Sequence, residues 1–326
     1  MRKKQRDTLA RSAMKLLCTL LGIILALMIA VTGAFCYLLD QINILPGTGS
    51  NELPAFSLSN TLEQAADSFS SAPTAGEKQL IHILLIGQDR RDGETQARSD
   101  SIILCSYRRD TGTLTMTSFL RDLYVPIPGH GSNRINAAYA YGGMKLLEKT
   151  IEENFAISIS GSIEVDFRQF SQIIDLLGGV SIDLRQDEAA LINRETGSAL
   201  TEGTQVLTGQ QALAYSRIRS LDRDGDFSRT NRQRKVLEAI ADAYRNAGPA
   251  KLVPLLKQLL PMITTDLKGP QLLLLALEVA PELSGLQMIS QRIPADGTFY
   301  DDTVDGMQVL IADMDSARQL LQDIAK

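Results

Sequence analysis

The hydrophobic pattern changes character three times along the chain. Leu16–Leu39 is an uninterrupted run of 24 residues without a charge. As a helix it would span about 36 Å, enough to cross a hydrocarbon core of about 30 Å. Arg2, Lys3, Lys4, Arg6, Arg11 and Lys15 precede it, whereas acids follow it and no Lys or Arg returns until Lys78. That asymmetry predicts a cytoplasmic tail over 1–15, a transmembrane helix over 16–39 acting as a signal anchor, and everything beyond on the outer side of the cell membrane. Residues 40–77 are rich in Ser, Thr, Gly, Pro and Asn with few bulky apolar positions, and read as a linker.

From Gln79 the pattern becomes that of a folded domain. Leu80–Ile86 is an apolar run of strand length, as expected of a strand buried on both faces. Ser101–Tyr107 and Leu114–Phe119 flank Asp110-Thr111-Gly112-Thr113, a hairpin signal. Helical spacing predicts a helix over Asn136–Asn154, and Ile159–Val165 reads as a strand. Phe167–Leu177 reads as a helix closed by Gly178-Gly179, followed by a strand over Val180–Leu184. Thr208 is placed to cap a helix through Tyr215, and another helix is expected over Asn231–Ala247. Leu252–Leu260 and Gln271–Val279 read as apolar helices, Leu286–Ile293 as a strand, and Val304–Ile324 as mostly helical. The predicted fold class is α/β: one α-β-α sandwich-like extracytoplasmic domain over 78–326, a mixed sheet covered by helices.

Charge narrows the function. The net charge is −5, but the first 39 residues carry +5, so the remainder carries −10. An acidic body excludes a nonspecific nucleic-acid binder. Cys18, Cys36 and Cys105 form neither a disulfide framework nor a metal-binding cluster, and His82 and His130 are the two histidines available to any His-based triad.

Against this acidic background, Leu213–Arg234 holds six arginines: Arg217, Arg219, Arg223, Arg229, Arg232 and Arg234. Arg219 follows Arg217 by two residues and Arg229 comes later, a spacing that suits a multiply charged anion better than a solvated helix face. Three predicted strand ends carry acid and arginine together: Asp89-Arg90 after Leu80–Ile86, Arg98 and Asp100 before the next strand, and Arg121-Asp122 after Phe119. Strand ends line one edge of an α/β sheet, where ligands bind. Asp89 and Asp100 are the candidate ligands of one divalent cation. Mg²⁺ suits them, with Mn²⁺ as its substitute, because it takes one or two carboxylates and completes its shell with water and phosphate oxygens.

The ordered segments LLIGQDRR, RSDSI, FLRDLYVPIPG, NRINAAYAYGG, EVDFRQFSQIIDLLGGV, LTGQQALAYSRIR and DFSRTNRQRKVL resemble the LytR-CpsA-Psr family of cell-wall glycopolymer ligases, up to about residue 247. Arg134 stands where the family often has lysine. The resemblance implies a phosphotransferase that passes a glycopolymer from a polyprenyl-pyrophosphate carrier to peptidoglycan as a phosphodiester. It implies Mg²⁺ on Asp89 and Asp100, and phosphate contacts from Arg98, Arg121, Arg217, Arg219, Arg229 and Gln233. Arg121, Arg217 and Arg219 join the two aspartates as the catalytic set. Arg223, Arg232 and Arg234 are expected to be solvated or structural. The partners implied are the lipid-linked glycopolymer, peptidoglycan and membrane lipid, with no nucleic acid.

The resemblance also implies an apolar lipid tunnel, for which Ile163, Val165, Phe167, Phe170, Ile174 and Leu177 and the apolar helices Leu252–Leu260 and Gln271–Val279 are the candidates. Asp89, Asp100 and Asp226 remain alternatives for the base that takes the acceptor proton. Two other functions compete: a sensor or regulator that binds polyprenyl pyrophosphate without turnover, and a pyrophosphatase acting on the same lipid.

Overall fold

A computed structural model of the protein describes residues 43–44, 80–88, 99–221, 226–247, 258, 260–268, 271, 275 and 285–326. The chain divides into two compact units, Met1–Ile42 and Asn43–Lys326, and the described residues all belong to the second. The expected span at 16–39 lies outside them, as do Asp89, Arg90, Arg98, Arg223 and nearly all of 252–260 and 271–279. Among the described residues no helix is long and apolar enough to cross a membrane.

The first strands are β1 (Asn43–Ile44), β2 (Leu80–Gln88), β3 (Ser99–Arg108) and β4 (Thr113–Phe119), then the hairpin β5 (Tyr124–Ile127) and β6 (Gly131–Arg134). Helix α1 (Ile135–Phe155), strand β7 (Gly161–Asp166) and helix α2 (Phe167–Leu176) follow. Next come β8 (Val180–Leu184), α3 (Gln186–Thr196), β9 (Gly203–Leu207), α4 (Gly209–Arg217) and α5 (Asp226–Ala247). The chain closes with β10 (Thr264–Thr265), β11 (Gln287–Ile293), β12 (Phe299–Val304), β13 (Met307–Ala312) and α6 (Met314–Gln322).

Seven strands form the main sheet in the order β1-β10-β7-β2-β3-β4-β11. The central β2-β3-β4 run is antiparallel, and β7 and β11 add parallel strands on its two sides, so the sheet is mixed. Period-2 alternation sends β2 and β3 into two cores. Leu84, Ile86, Ile102 and Leu104 face α1 and α6, where they meet Leu147, Phe155 and Leu321. Ile81, Ile83 and Tyr107 face the other way, against Leu267 and Leu286. Phe119 and Phe155 tilt against each other with centroids 4.9 Å apart, a contact worth about 0.5–1.5 kcal/mol beyond burial. Asn43 and Ile44, in the stretch expected to be a linker, pair with Thr264 and Thr265.

A third core holds α2, α3, α4, α5 and the β8–β9 hairpin around Ile174, Val180, Ile192, Leu207 and Tyr215. Local chemistry fixes its helices. Thr208 caps α4 through a reciprocal box with Gln211, as its position predicts, and Asp166 caps α2 the same way with Gln169. Gly209 lets α4 approach α2 closely, since a Cβ there would lie 2.0 Å from the Ser171 carbonyl oxygen.

Two sequence expectations are corrected. Val304–Ile324 is not mostly helical: β12 and β13 pair antiparallel across Asp305 and Gly306, and the helix starts only at Met314. Both turn residues have positive φ, 49° and 75°, so Asp-Gly acted as a hairpin turn and overrode the apolar spacing. Helix α5 starts at Asp226 rather than Asn231, which places Arg229 on a helix.

Glu148 of α1 accepts a bond from the Ser162 hydroxyl, and burial pushes its carboxyl from an ordinary 4.5 up to about 8. A raised carboxyl means the folded state holds a proton that the unfolded state has lost. This position therefore contributes stability at low pH that is lost as pH climbs from about 4.5 to about 8. Glu148→Gln should leave the melting temperature near pH 5 almost unchanged and raise it at pH 8, by about 2–4 °C for each kcal/mol recovered. Thermal melts of both proteins at the two pH values check this.

Candidate active site

The C-terminal ends of β2, β4, β7 and β11 and the N-terminal end of β3 form one edge of the sheet. Asp100 reaches that edge through a β-bulge. Gly87 pairs with Ser101 and Gln88 with Ser99, which leaves Asp100 as the extra residue. Such bulges re-aim a side chain where the ladder is interrupted. Arg121 sits in the turn after β4. Buried Leu120 and Leu123 anchor that turn, which is closed by a 3.0 Å bond from Leu123 N to Leu120 O, and Arg121 and Asp122 reach outward from it.

Guanidinium and carboxylate groups alternate along this edge. Arg219 Nη2 lies 3.8 Å from Asp100 Oδ1, and Arg121 Nη1 donates to the same oxygen at 3.2 Å. Arg121 Nε lies 3.5 Å from Asp122 Oδ2, and Arg134 Nη1 donates to Asp122 Oδ1 at 3.0 Å. Among the described residues, three cations meet two carboxylates here. The group is half-buried, with the Arg121 and Asp100 side chains 24% and 28% exposed, so its charges are less screened than surface pairs and still reachable by a ligand.

Arg217 ends α4, with its guanidinium 5.1 Å from the centre of the Phe167 ring at the start of α2. Between Arg217 and Arg219, Ile218 is buried and its carbonyl accepts a 3.2 Å bond from Arg232 Nη1. The Arg232 Nε donates to Glu188 Oε1 at 2.8 Å, and the pair is only 4% and 6% exposed. Arg232 is therefore structural, not solvated, and it fixes the peptide that joins two exposed arginines.

Arg229 and Gln233 stand one turn apart on α5. Arg229 is buried, and the side-chain oxygen of Gln233 is buried with no hydrogen-bond partner among the described residues. Arg234 is buried as well, donating to Ser118 Oγ at 2.8 Å near the end of β4. Burial and the nearby Arg292 lower its pKa. The Arg292 guanidinium lies 4.2 Å from the centre of the Phe227 ring.

The structure thus joins Asp100, Arg121 and Arg219 directly and puts Arg217 at the same edge. Asp89 and Arg98 lie outside the described residues, and Asp226 is described for its backbone alone. Of the lipid-tunnel candidates, Phe170 and Ile174 belong to the α2–α5 core, and Ile163, in β7, packs with the core of Ile81, Ile83 and Tyr107. His82 is a satisfied buried histidine, 2.8 Å from Ser106 Oγ, and His130 stacks on Tyr141. Burial pushes the Cys105 thiol up to about 12, so it holds no thiolate at neutral pH.

Sequence reasoning missed one polar network at this edge. The Tyr139 hydroxyl donates to Glu164 Oε2 at 2.7 Å and lies 3.1 Å from Gln88 Oε1, and Gln88 donates to Glu164. All three are buried, and they pin the end of β2, the residue before Asp89, to β7. Their separation in sequence, 88, 139 and 164, left no local signal.

Comparison with known proteins matches this architecture. The profile of the LytR_cpsA_psr family covers residues 54–326. The chain belongs to the LytR-CpsA-Psr family. The polyisoprenyl-teichoic acid–peptidoglycan teichoic acid transferase TagU of Oceanobacillus iheyensis is 34% identical over 67% of this chain and 66% of its own length. The corresponding transferase TagT of Bacillus subtilis is 39% identical over 52% of this chain and 54% of its own. The regulatory protein MsrR of Staphylococcus aureus is 39% identical over 49% and 48%. The chain thus spans about half to two thirds of the length of these relatives. Among solved structures, B. subtilis TagT superposes with a TM-score of 0.62 at 29% identity, over 78% of this chain and 93% of that one. A TagT structure with bound octaprenyl pyrophosphate lipid gives a TM-score of 0.60 at 28% identity, over 78% and 92%. The LytR-CpsA-Psr fold accounts for the mixed sheet seen here.

Proposed function

We propose that this LytR-CpsA-Psr protein transfers a glycopolymer from a polyprenyl-pyrophosphate carrier to a peptidoglycan hydroxyl, leaving a phosphodiester. The observation that carries the reading is the alternating Arg219–Asp100–Arg121–Asp122–Arg134 cluster, with three cations to two carboxylates among the described residues, half-open at the sheet edge. Guanidinium forks fit phosphate oxygens and keep their charge. The names of TagT and TagU, and the lipid bound in one TagT structure, support the same substrate class.

The acceptor oxygen attacks the phosphorus that bears the glycan. The bond from that phosphorus to the bridging oxygen breaks, and polyprenyl phosphate leaves. Arg121 and Arg219 stabilise the charge that builds on the non-bridging oxygens and the leaving phosphate. The acceptor proton passes to a base, with Asp89, Asp100 and Asp226 the candidates. Arg98, Arg217, Arg229 and Gln233 complete the phosphate contacts.

The residues present fit Mg²⁺. The Arg121 and Arg219 contacts with Asp100 fall on Oδ1, and a carboxylate held through one oxygen can offer the other to a hard cation. Asp89 and Asp100 would hold the ion. When bound, it would neutralise pyrophosphate charge. We place the protein in the cell membrane through 16–39, with the catalytic unit facing the wall.

The test is full-length protein in detergent with a polyprenyl-pyrophosphate glycan, a peptidoglycan fragment and Mg²⁺. Ligated glycan with release of polyprenyl phosphate is expected. Release without ligation would make the protein a pyrophosphatase, and binding without turnover would make it a sensor. Chelation by EDTA should remove at least about 90% of the rate, as expected for loss of several kcal/mol of charge stabilisation, and added Mg²⁺ or Mn²⁺ should restore it.

A further inference from the structure

Asp100 owes its place at the charged edge to a bulge, and register is weakly specified where a strand has no side chain to pack. Gly87 stands opposite Ser101 at that bulge, and the approach is close: a Cβ on Gly87 would lie 3.0 Å from the Ser101 Cβ. Side chains alternate with period 2, so a slip of one residue would turn Asp100 to the other face of the sheet, away from Arg121 and Arg219. The next residue, Gln88, ends β2 and pairs with Ser99, on the far side of Asp100. Register at the bulge therefore depends on what holds Gln88.

The buried trio described above holds it. Gln88 Nε2 donates to Glu164 Oε1 of β7, and the Tyr139 hydroxyl of α1 bridges Glu164 Oε2 and Gln88 Oε1. A polar trio at the end of an apolar strand costs desolvation that an aliphatic trio would not. What it adds is direction, since hydrogen bonds fix distance and angle where apolar contacts do not. The same elements carry the rest of the site. Helix α1 begins against the Arg121 turn, with Ile135 N donating to Leu123 O at 2.7 Å and Asn136 N to Arg121 O at 3.3 Å, and Tyr139 follows within one helical turn. Strand β7 ends two residues beyond Glu164 at Asp166, which caps α2, and the first residue of α2, Phe167, carries the Arg217 guanidinium over its ring.

We propose that Glu164 is a positioning residue: through Gln88 and Tyr139 it locks the bulge that presents Asp100 and ties it to the Arg121 turn and to α2. Glu164 acts through Gln88 rather than on the substrate, so the role needs its bonding pattern and not its charge. Glutamine at 164 can complete the same trio. Its oxygen accepts from Gln88 Nε2, and its amide donates to the Tyr139 oxygen, whose proton then goes to Gln88 Oε1. Leucine can do neither. The effect on turnover rests on the transferase reading, whereas the lock on the bulge does not.

The experiment takes full-length protein in detergent through three readouts: hydrogen exchange of the Ser99–Ser101 amides by mass spectrometry, Mn²⁺ binding by EPR without donor, and kcat in the transfer assay. Glu164→Leu should speed exchange at the bulge about tenfold, as buried hydrogen bonds are lost. It should weaken Mn²⁺ binding and lower kcat by about 10-fold or more, as removal of a group that orients a metal ligand does. Tyr139→Phe should shift all three in the same direction by about threefold, and Glu164→Gln should stay within about twofold of wild type. Ser106→Ala is the control. It removes the 2.8 Å His82–Ser106 contact from the same strand pair, at the end away from the bulge, and should lower the melting temperature without moving Mn²⁺ binding or kcat. Unchanged exchange at the bulge in Glu164→Leu overturns the proposal, and if that variant does not fold, unchanged exchange in Tyr139→Phe does so. Glu164→Gln failing as badly as Glu164→Leu also overturns it, since the site would then need the charge. So does Ser106→Ala matching the Glu164→Leu losses. Faster exchange in Glu164→Leu with no transfer by wild type leaves the lock standing and removes the transferase reading. Transfer by wild type with unchanged exchange in the variant does the converse.

Discussion

Replacing Arg121 or Arg219 with alanine should lower the transfer rate at least tenfold, and by about 10²–10³-fold where the lost contact is made in the transition state. Arg121 is the central cation of the edge cluster and touches both Asp100 and Asp122. Its loss removes a phosphate contact and leaves two carboxylates facing each other with less compensation, so the effect should fall on kcat as well as on donor binding. Arg121→Lys should not rescue it, since one ammonium cannot bridge two carboxylates and a phosphate as a planar fork does. Arg219 is more exposed, at 42%, and stands farther from Asp100 Oδ1, at 3.8 Å against 3.2 Å for Arg121, so Arg219→Lys should recover part of the rate. Both positions lie at the surface of the sheet edge, and melting temperatures should move by only a few degrees. Near-normal turnover by either alanine variant in the full-length assay would remove the cluster from the mechanism.

Much of this edge was readable in the sequence, because its parts are local. A strand-length apolar run ending in Gly-Gln-Asp, a hairpin marked by Asp110-Thr111-Gly112-Thr113 and an Arg-Asp pair after Phe119 each carry their own signal, and β2, β3 and β4 follow them closely. What was not readable depends on contacts across the chain. Asp305-Gly306 is a strong turn signal, but the apolar residues on both sides also fit a helix, and pairing of β12 with β13 decided the outcome. The bulge that turns Asp100 outward is a property of the β2–β3 register. Arg232 and Arg234 look like any helical surface arginines until Glu188 and Ser118, 44 and 116 residues away, are brought beneath α5.

The Glu188–Arg232 pair should dominate the stability of the α2–α5 core. Removing one partner, as in Glu188→Ala or Arg232→Ala, leaves the other charge buried and should cost about 3–5 kcal/mol, measured by urea unfolding. Hydrophobic replacement of both, Glu188→Leu with Arg232→Met, should recover most of that loss, because two desolvated charges disappear together. Stability and activity should then separate. Arg232 also donates 3.2 Å to the Ile218 carbonyl, between Arg217 and Arg219, and methionine cannot. The double variant should therefore fold nearly as well as wild type and still transfer glycan at least about fivefold more slowly, the loss of one charged hydrogen bond that positions the arginines. The defect should appear as weaker donor binding and lower kcat together. A double variant that matched wild type in both stability and rate would show that the arginine segment holds its geometry without Arg232. One that stayed as unstable as the single variants would show that α3 and α5 need the ion pair itself, beyond the absence of an unpaired charge.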